Sequence, residues 1–409
     1  MNIRITALFL LILGFPLVSI SQLNIEGRVV DASDKKPLVF ANVFISNTTK
    51  GQQTDDKGKF KLTNVPSGTI DLVISYVGYS TFSMQIKTDT LKRPLLIMLT
   101  ADAIELQGVT IKRIKDGYKK YIHVFQEGFM GLTAFSKACK LKNPKALTFS
   151  MNHDDSQLII RADEPLVIEN KELGYIIKYQ LEEFSYHFRE RYTTFYGYPF
   201  FEEMDTKSAK KKKEWIENRN TAYYGSSTHF LKALVDKRLT EEGFVMHKLI
   251  REQKKMYSVP MLPERKDSLG NIIVEASREK IMIDSADVKL KADHALSKLP
   301  TSGFARHVQY LVRTPLKESE IVSAMNDVFT MDFSNHLYVV FNKEHEEPQF
   351  LSANQKNIPQ TSILAMLDPP AIIERNGHLI NPLSIIFEGR WGNEKIGELL
   401  PLDYLPALP

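Results

Sequence analysis

The sequence predicts a β-rich chain: an N-terminal antiparallel β-sandwich of about seven strands, then a mixed α+β region of β-sheet and amphipathic helices. Three observations carry this reading. Between Leu23 and Lys112, apolar and polar residues alternate in short runs at roughly ten-residue spacing, each run bounded by turn residues. Beyond Lys112, one face of residues 113–131 repeats apolar side chains at helical spacing. From Ala146 to Met204 the alternation of strands returns, rich in Tyr and Phe.

The sandwich runs are LNIEGRVVD, LVFANVFIS, GKFKLTN, TIDLVISYV, STFSMQIK, PLLIMLT and IELQGVTIK. In GKFKLTN, Phe60 and Leu62 share one face while Lys59, Lys61 and Thr63 face water; Leu72, Ile74 and Tyr76 share a face in the next run. Asp55-Asp56-Lys57-Gly58 fits a type I turn closed by a glycine at positive φ. Val65-Pro66-Ser67-Gly68 and Tyr76-Val77-Gly78-Tyr79 are further reversals. Asp55 and Asp56 do not form a calcium loop, because no further carboxylates follow at alternate spacing.

In front of the sandwich, Arg4, an apolar run from Ala7 to Val18 and small residues Ser19 and Ser21 have the layout of a cleavable export signal over residues 1–21. Gly14 and Pro16 interrupt the run, which is short for a membrane span, and no later segment is apolar enough to cross. Formal charge is +4, so small a balance on 409 residues that it points to neither nucleic acid nor an anionic membrane as partner. The single cysteine, Cys139, excludes an intramolecular disulfide and reads as a small apolar side chain.

Beyond the sandwich, Tyr118, Ile122, Phe125 and Phe129 lie on one helical face. The runs ALTFSM, QLIIRA, PLVIEN, GYIIKYQLEEFSYHF and RYTTFYGYPFF read as strands. Lys210 to Lys213 read as a solvated helix start, and Ser227 as the N-cap of a helix carrying Phe230, Leu231, Leu234, Val235 and Leu239 on one side. Polar linkers fall near 262–271, a sub-boundary within residues 113–409, and near 351–361; VMHKLI, EKIMIDSADVKL and NHLYVVFNK are strand-like, and a short helix around Glu394–Leu400 ends at Pro401.

The segment GRVVDASDKKPLVFANVFISNTTKGQQTDDKGKFKLTNVPSGTIDLVISYVGY resembles the carboxypeptidase-regulatory-like module of Bacteroidetes envelope proteins. The resemblance covers roughly residues 22–110 and is carried by Gly27, Pro37-Leu38, Ala41-Asn42-Val43, Thr48, Gly51, Thr54-Asp55, Gly58, Phe60 and Val77-Gly78-Tyr79. It implies a prealbumin-like sandwich over residues 22–112, of a kind found before TonB-dependent receptors, and it brings no peptidase residues. IELQGVTIK resembles the hinge that follows the module in those receptors, but the remaining residues are too few for a 22-stranded barrel. CKLKNP, ADEPLVIENKELGYIIKYQLEEF, YGYPFFEEM, WIENRNTAYYGSSTHFLKAL, NGHLINP and GRWGNEKIGELLPLDY resemble a recurrent companion of the module. That resemblance names a group and supplies no mechanism.

Chemistry is sparse. The one His-x-x-Glu, His187 to Glu190, falls in a strand, where i and i+3 point to opposite faces, so no zinc peptidase is expected. A nucleophile elbow and a phosphate or dinucleotide loop are missing, Glu202-Glu203 reads as a solvated pair, and no cofactor or metal is expected. The remaining candidate is a binding cluster of Trp215, Asn218, Arg219, Tyr223, Tyr224, Ser226 and His229, with Gly225 and Phe230, because aromatic side chains beside an arginine are frequent at recognition sites. The competing reading has Asn218 and Arg219 tying their helix to a turn. The sequence therefore predicts an exported, non-enzymatic envelope protein whose sandwich is an interaction module for a protein or glycan. Alternatives are an accessory subunit of an outer-membrane transport or secretion complex, and a hydrolase whose site lies in 113–409.

Overall fold

The computed structural model describes residues 23–88, 90–91, 93–101, 112–152, 156–189, 191–253, 296–298, 307–325, 328–351 and 355–407. The export signal, most of IELQGVTIK, the 262–271 linker and EKIMIDSADVKL lie outside them.

The first seven strands are β1 (Leu23–Asp31), β2 (Asn42–Ile45), β3 (Gly51–Gln53), β4 (Lys59–Val65), β5 (Thr69–Ser75), β6 (Phe82–Lys87) and β7 (Leu95–Leu99). They form two sheets, ordered β4-β1-β7 and β3-β2-β5-β6. Pairing is antiparallel throughout except between β1 and β7, which run parallel. The short β3 is not among the runs read as strands, and whether IELQGVTIK joins the sheets lies outside the described residues. Ile25, Val29, Phe60, Leu62, Leu72, Ile74 and Ile97 fill the space between the sheets. The turn before β4 has the expected chemistry: the Asp55 carboxylate accepts from the backbone N–H groups of Lys57 and Lys59, and Gly58 takes φ +70°. Thr54 is buried, donating to the Leu38 carbonyl and accepting from the Ala41 N–H, which ties the β2 approach to the β3 exit.

Next come β8 (Lys112–Arg113), α1 (Gly117–Phe125), a π-helical turn over Gln126–Met130, α2 (Ala134–Ala138), β9 (Cys139–Leu141), β10 (Leu147–Asn152), β11 (Gln157–Ala162), β12 (Leu166–Asn170), β13 (Tyr175–His187) and β14 (Tyr192–Glu203). The π-turn keeps Phe125 and Phe129 stacked, ring centroids 4.8 Å apart, over the sheet. The length of β13 has a topological cause. Its first residues pair with β12, its last with β11, and β14 covers its other edge along the whole strand.

Three helices follow: α3 (Ala209–Tyr223), α4 (Ser227–Val235) and α5 (Leu239–Glu242). Ser226, one residue before the expected Ser227, is the N-cap of α4; its Oγ accepts from the His229 N–H, and Ser227 already has its place in the first turn. The last sheet contains β15 (Phe244–Gln253), β16 (Leu296–Lys298), β17 (His307–Val312), β20 (His336–His345), β21 (Pro359–Met366) and β23 (Ile385–Gly389); β18 (Val322–Met325), β19 (Val328–Met331) and β22 (Ala371–Ile373) form a small separate one. The end of the expected 351–361 linker is thus strand, because Pro359–Thr361 pair with β20. Phe230 and Leu234 of α4 and Trp391 of the final helix, α6 (Arg390–Glu398), pack on Phe244, Leu337, Phe341 and Leu364 in one core.

The sandwich is packed against the rest of the chain. Asn47 N–H donates to the Pro199 carbonyl, and Phe201 N–H to that of Thr48. Phe44 and Val73 of β2 and β5 bury against Tyr198, with Tyr196 and Phe200 alongside. The C-terminal tail completes the joint: Leu402 N–H donates to the Asn47 carbonyl, and the Asp403 carboxylate accepts from the Thr49 N–H and hydroxyl. Tyr404 OH then reaches Asn220 of α3.

Candidate functional site

Helix α3 begins at the Ser208 cap and exposes its lysine-rich first turns, where Lys210, Lys211 and Lys213 pair with Glu214 and Glu217. Its opposite face carries Trp215, Asn218 and Arg219, and all three are committed to the turn Lys171–Gly174 between β12 and β13. Trp215 Nε1 donates to the Lys171 carbonyl at 2.8 Å, and Asn218 Nδ2 to that of Glu172 at 2.8 Å. Arg219 donates through Nε to the Leu173 carbonyl at 2.7 Å and through a terminal nitrogen to that of Gly174 at 3.3 Å. Its guanidinium also lies 3.9 Å from the Tyr175 ring centre and pairs with Glu203 at 2.9 Å. Trp215 can lie against the turn because Gly174, at φ +70°, has no Cβ; one built there would stand 2.3 Å from the indole. The indole N–H, the Asn218 amide nitrogen and the guanidinium of this trio all donate inside the chain. The Glu203 of the expected solvated pair serves that bridge, while Glu202 pairs with Lys178.

The second half of the cluster has a different setting. His229 is buried: its Nδ1 accepts from the Gly225 N–H at 3.1 Å, its Nε2 faces Glu242 at 3.4 Å, and Tyr223, Tyr224, Phe244 and Phe341 surround the ring. Burial holds the imidazole below its ordinary pKa, with the Glu242 carboxylate opposing. Trp391 Nε1 donates to the Gly225 carbonyl at 2.7 Å, so the Tyr224–Ser226 turn is fixed on both sides. Tyr223 and Ser226 alone of the seven line a cavity of about 480 Å³. Trp215, Asn218, Arg219, Tyr224 and His229 do not line it.

That cavity opens where the sandwich, the middle sheet, the α3–α4 turn and the C-terminal tail meet. Asn47 comes from the sandwich, Tyr179, Phe195 and Tyr196 from β13 and β14, Ser226, Thr228 and Lys232 from the start and flank of α4, and Glu394, Lys395, Glu398 and Tyr404 from α6 and the tail. Its size lies within the range of small-molecule sites, and its walls mix ring faces with hydroxyl, amide and charged groups.

Behind this wall lies a buried ionic cluster that sequence reading missed. Arg390 reaches both carboxylate oxygens of Glu398 at 3.0 Å, Glu394 at 3.2 Å, and the carboxylate of Glu347, with Glu346 at 3.9 Å. Burial pushes the carboxyls of Glu394 and Glu398 above the ordinary range, their mutual proximity pushes that of Glu394 further, and Arg390 opposes both shifts. The signal was present in the i, i+4, i+8 spacing of Arg390, Glu394 and Glu398 beside Trp391 and Ile396, but a like pattern also marks a solvated helix face. Lys395 interrupts α6 with φ 44° and ψ −144°, and the break turns its side chain away from the cluster to donate to the Gly128 carbonyl at 2.7 Å. The short helix expected from Glu394 to Leu400 therefore begins earlier, at Arg390, and is broken at Lys395.

Other candidates are placed plainly. His187 ends β13 stacked on Tyr192, and Glu190 lies outside the described residues. Cys139 is half-buried, its thiol pushed up to about 12 by burial, which suits no nucleophile. Among the described residues no group of three His, Cys, Asp or Glu side chains is arranged to hold a metal ion, and no helix is long and apolar enough to cross a membrane.

Comparison with known proteins bears on one part of this molecule. The chain is 31% identical over 106 residues to TonB-dependent receptor P39 of Formosa agariphila, an alignment covering 25% of this chain and 10% of the receptor. A solved structure of a protein of unknown function from Bacteroides fragilis NCTC 9343 aligns over 90% of this chain and 93% of its own, at 9% identity and a TM-score of 0.16, too low to support any argument. Residues 25–111 match the CarboxypepD_reg-like domain. The described part of that segment is the two-sheet sandwich of β1 to β7, with Gly27 under the Phe60 ring and Gly58 in the β3–β4 turn. The N-terminal part of this chain is a CarboxypepD_reg-like domain.

Proposed function

We propose that this chain is an exported, envelope-associated binding protein without catalytic activity, and that a glycan occupies the cavity between the sandwich and the rest of the molecule. The cavity carries the reading. Phe195, Tyr196, Tyr223 and Tyr404 are partly buried aromatic residues of its lining, and Asn47, Ser226 and Thr228 are hydrogen-bonding ones. Pyranose rings have apolar C–H faces and equatorial hydroxyls, which such a mixture accommodates. The envelope setting draws support from the CarboxypepD_reg-like domain and from the short alignment with a TonB-dependent receptor. The sandwich acts here as one wall of a shared site, through Asn47 and the segment that holds the C-terminal tail.

The test is a thermal-shift and calorimetric screen of the mature chain against neutral and acidic oligosaccharides, with Tyr223→Ala as control. Binding that Tyr223→Ala weakens at least tenfold is the expected result. No binding of any saccharide by a folded sample would remove the proposal.

A further inference from the structure

One cation lining the cavity has no ion pair among the described residues. Lys232 also lines it, but its ammonium pairs with Asp236 at 2.8 Å. Lys395 does not pair in this way. Its ammonium has the Gly128 carbonyl at 2.7 Å and the Phe195 ring centre at 5.9 Å, and it forms no ion pair among the described residues. The nearest carboxylates in sequence, Glu394 and Glu398, are held by Arg390. Burial lowers the Lys395 amine to about 8. Its backbone adopts a conformation that non-glycine residues rarely take. A cation kept at such cost beside a cavity is incomplete without an anion.

Resting on the glycan reading above, we infer that the cavity takes an acidic saccharide whose anionic group is bound by Lys395, with the sugar ring against Phe195. Carboxylate and sulfate share this chemistry, and both would receive a charge-assisted hydrogen bond from the ammonium. The Gly128 carbonyl, at the end of the π-turn, holds the amine in place before the ligand arrives.

The experiment measures binding of the mature full chain at pH 7 by calorimetry, using a tri-galacturonate, a sulfated galactose trisaccharide and the neutral galactotriose. The expected result is at least tenfold tighter binding of one acidic probe than of the neutral one. Lys395→Met should abolish that preference, and Lys395→Arg should restore part of it. Affinity for the acidic probe should fall as pH rises past about 8, the value to which burial brings the Lys395 amine. The other titratable groups facing the cavity are Glu394, Glu398, Lys232 and the tyrosines 179, 196, 223 and 404.

Equal affinity for neutral and acidic probes, or an acidic preference that survives Lys395→Met, would overturn the inference while the glycan reading stands. No binding of any of the three probes would overturn the inference, and the glycan reading falls with it only if the wider saccharide screen is also negative. Should Lys395→Met fail to fold, the comparison of the three probes on the parent chain and its pH profile decide alone.

Discussion

Replacing Arg219 by alanine removes the donors that fasten the last two turns of α3 to the start of β13. Two of its bonds run to buried backbone carbonyls, those of Leu173 at 2.7 Å and Gly174 at 3.3 Å. A hydrogen bond from a charged donor contributes about 1.5–3 kcal/mol, and the longer of the two falls near or below the lower end. The guanidinium 3.9 Å from the Tyr175 ring adds about 1 kcal/mol. Glu203 is largely exposed, so its ion pair adds only about 0–1 kcal/mol, and the freed carboxylate returns to water. The expected loss is about 4 kcal/mol, a large share of a typical total stability of roughly 5–15 kcal/mol. Urea unfolding followed by circular dichroism and by tryptophan fluorescence would measure it. Trp215 reports on this joint and Trp391 on the distant core, so coincidence of the two probes also tests whether the chain unfolds as one unit. Arg219→Lys should lose nearly as much, since one ammonium cannot reproduce the planar fork. A loss below about 1 kcal/mol by this ledger, together with abolished saccharide binding, would refute the argument and make Arg219 a recognition residue.

Gly174→Ala should destabilise the same joint by more than about 2 kcal/mol, combining the positive φ with a Cβ 2.3 Å from the Trp215 indole, and should raise proteolytic cleavage near residues 171–174. Asp403→Ala removes the acceptor of the Thr49 N–H and hydroxyl bonds and should cost about 2 kcal/mol, freeing the tail to carboxypeptidase digestion. His378 faces Asp71 and Glu374, and burial still holds its pKa below the ordinary 6.5. The unfolded chain therefore takes up a proton that the native chain refuses, and stability is lost as pH falls below about 6.5. His378→Asn should show a smaller drop in melting temperature between pH 7 and 5 than the parent; an equal drop would dismiss His378 as the cause.

Much of the sandwich was legible because its signals are local. Gly58 takes φ +70° within four residues of Asp55, and Phe60 and Leu62 alternate with lysines, so neighbours along the chain decide turn and face. The helix and strand runs between 113 and 204 were legible for the same reason. The N-cap at Ser226 was missed by one residue because two adjacent serines offer the same chemistry, and packing of Gly225 against Phe341 chooses between them. The binding cluster was legible as a cluster, but not its division. Trp215, Asn218 and Arg219 point to carbonyls some 44–46 residues earlier, whereas Tyr223 and Ser226 reach the cavity.

By itself the sequence determined the family of residues 25–111, the alternation that buries one face of each strand, and the helical stripe that carries Phe125 and Phe129. Tertiary structure alone decided the cavity, the Arg390 cluster and the setting of Lys395. These depend on contacts such as Lys395 with Gly128, 267 residues apart, and Asp403 with Thr49, 354 apart. Turn and face preferences are short-range energies that each residue carries with it. The charge state and exposure of a side chain depend on what the rest of the chain brings beside it, and that is set only when the sheets close on one another.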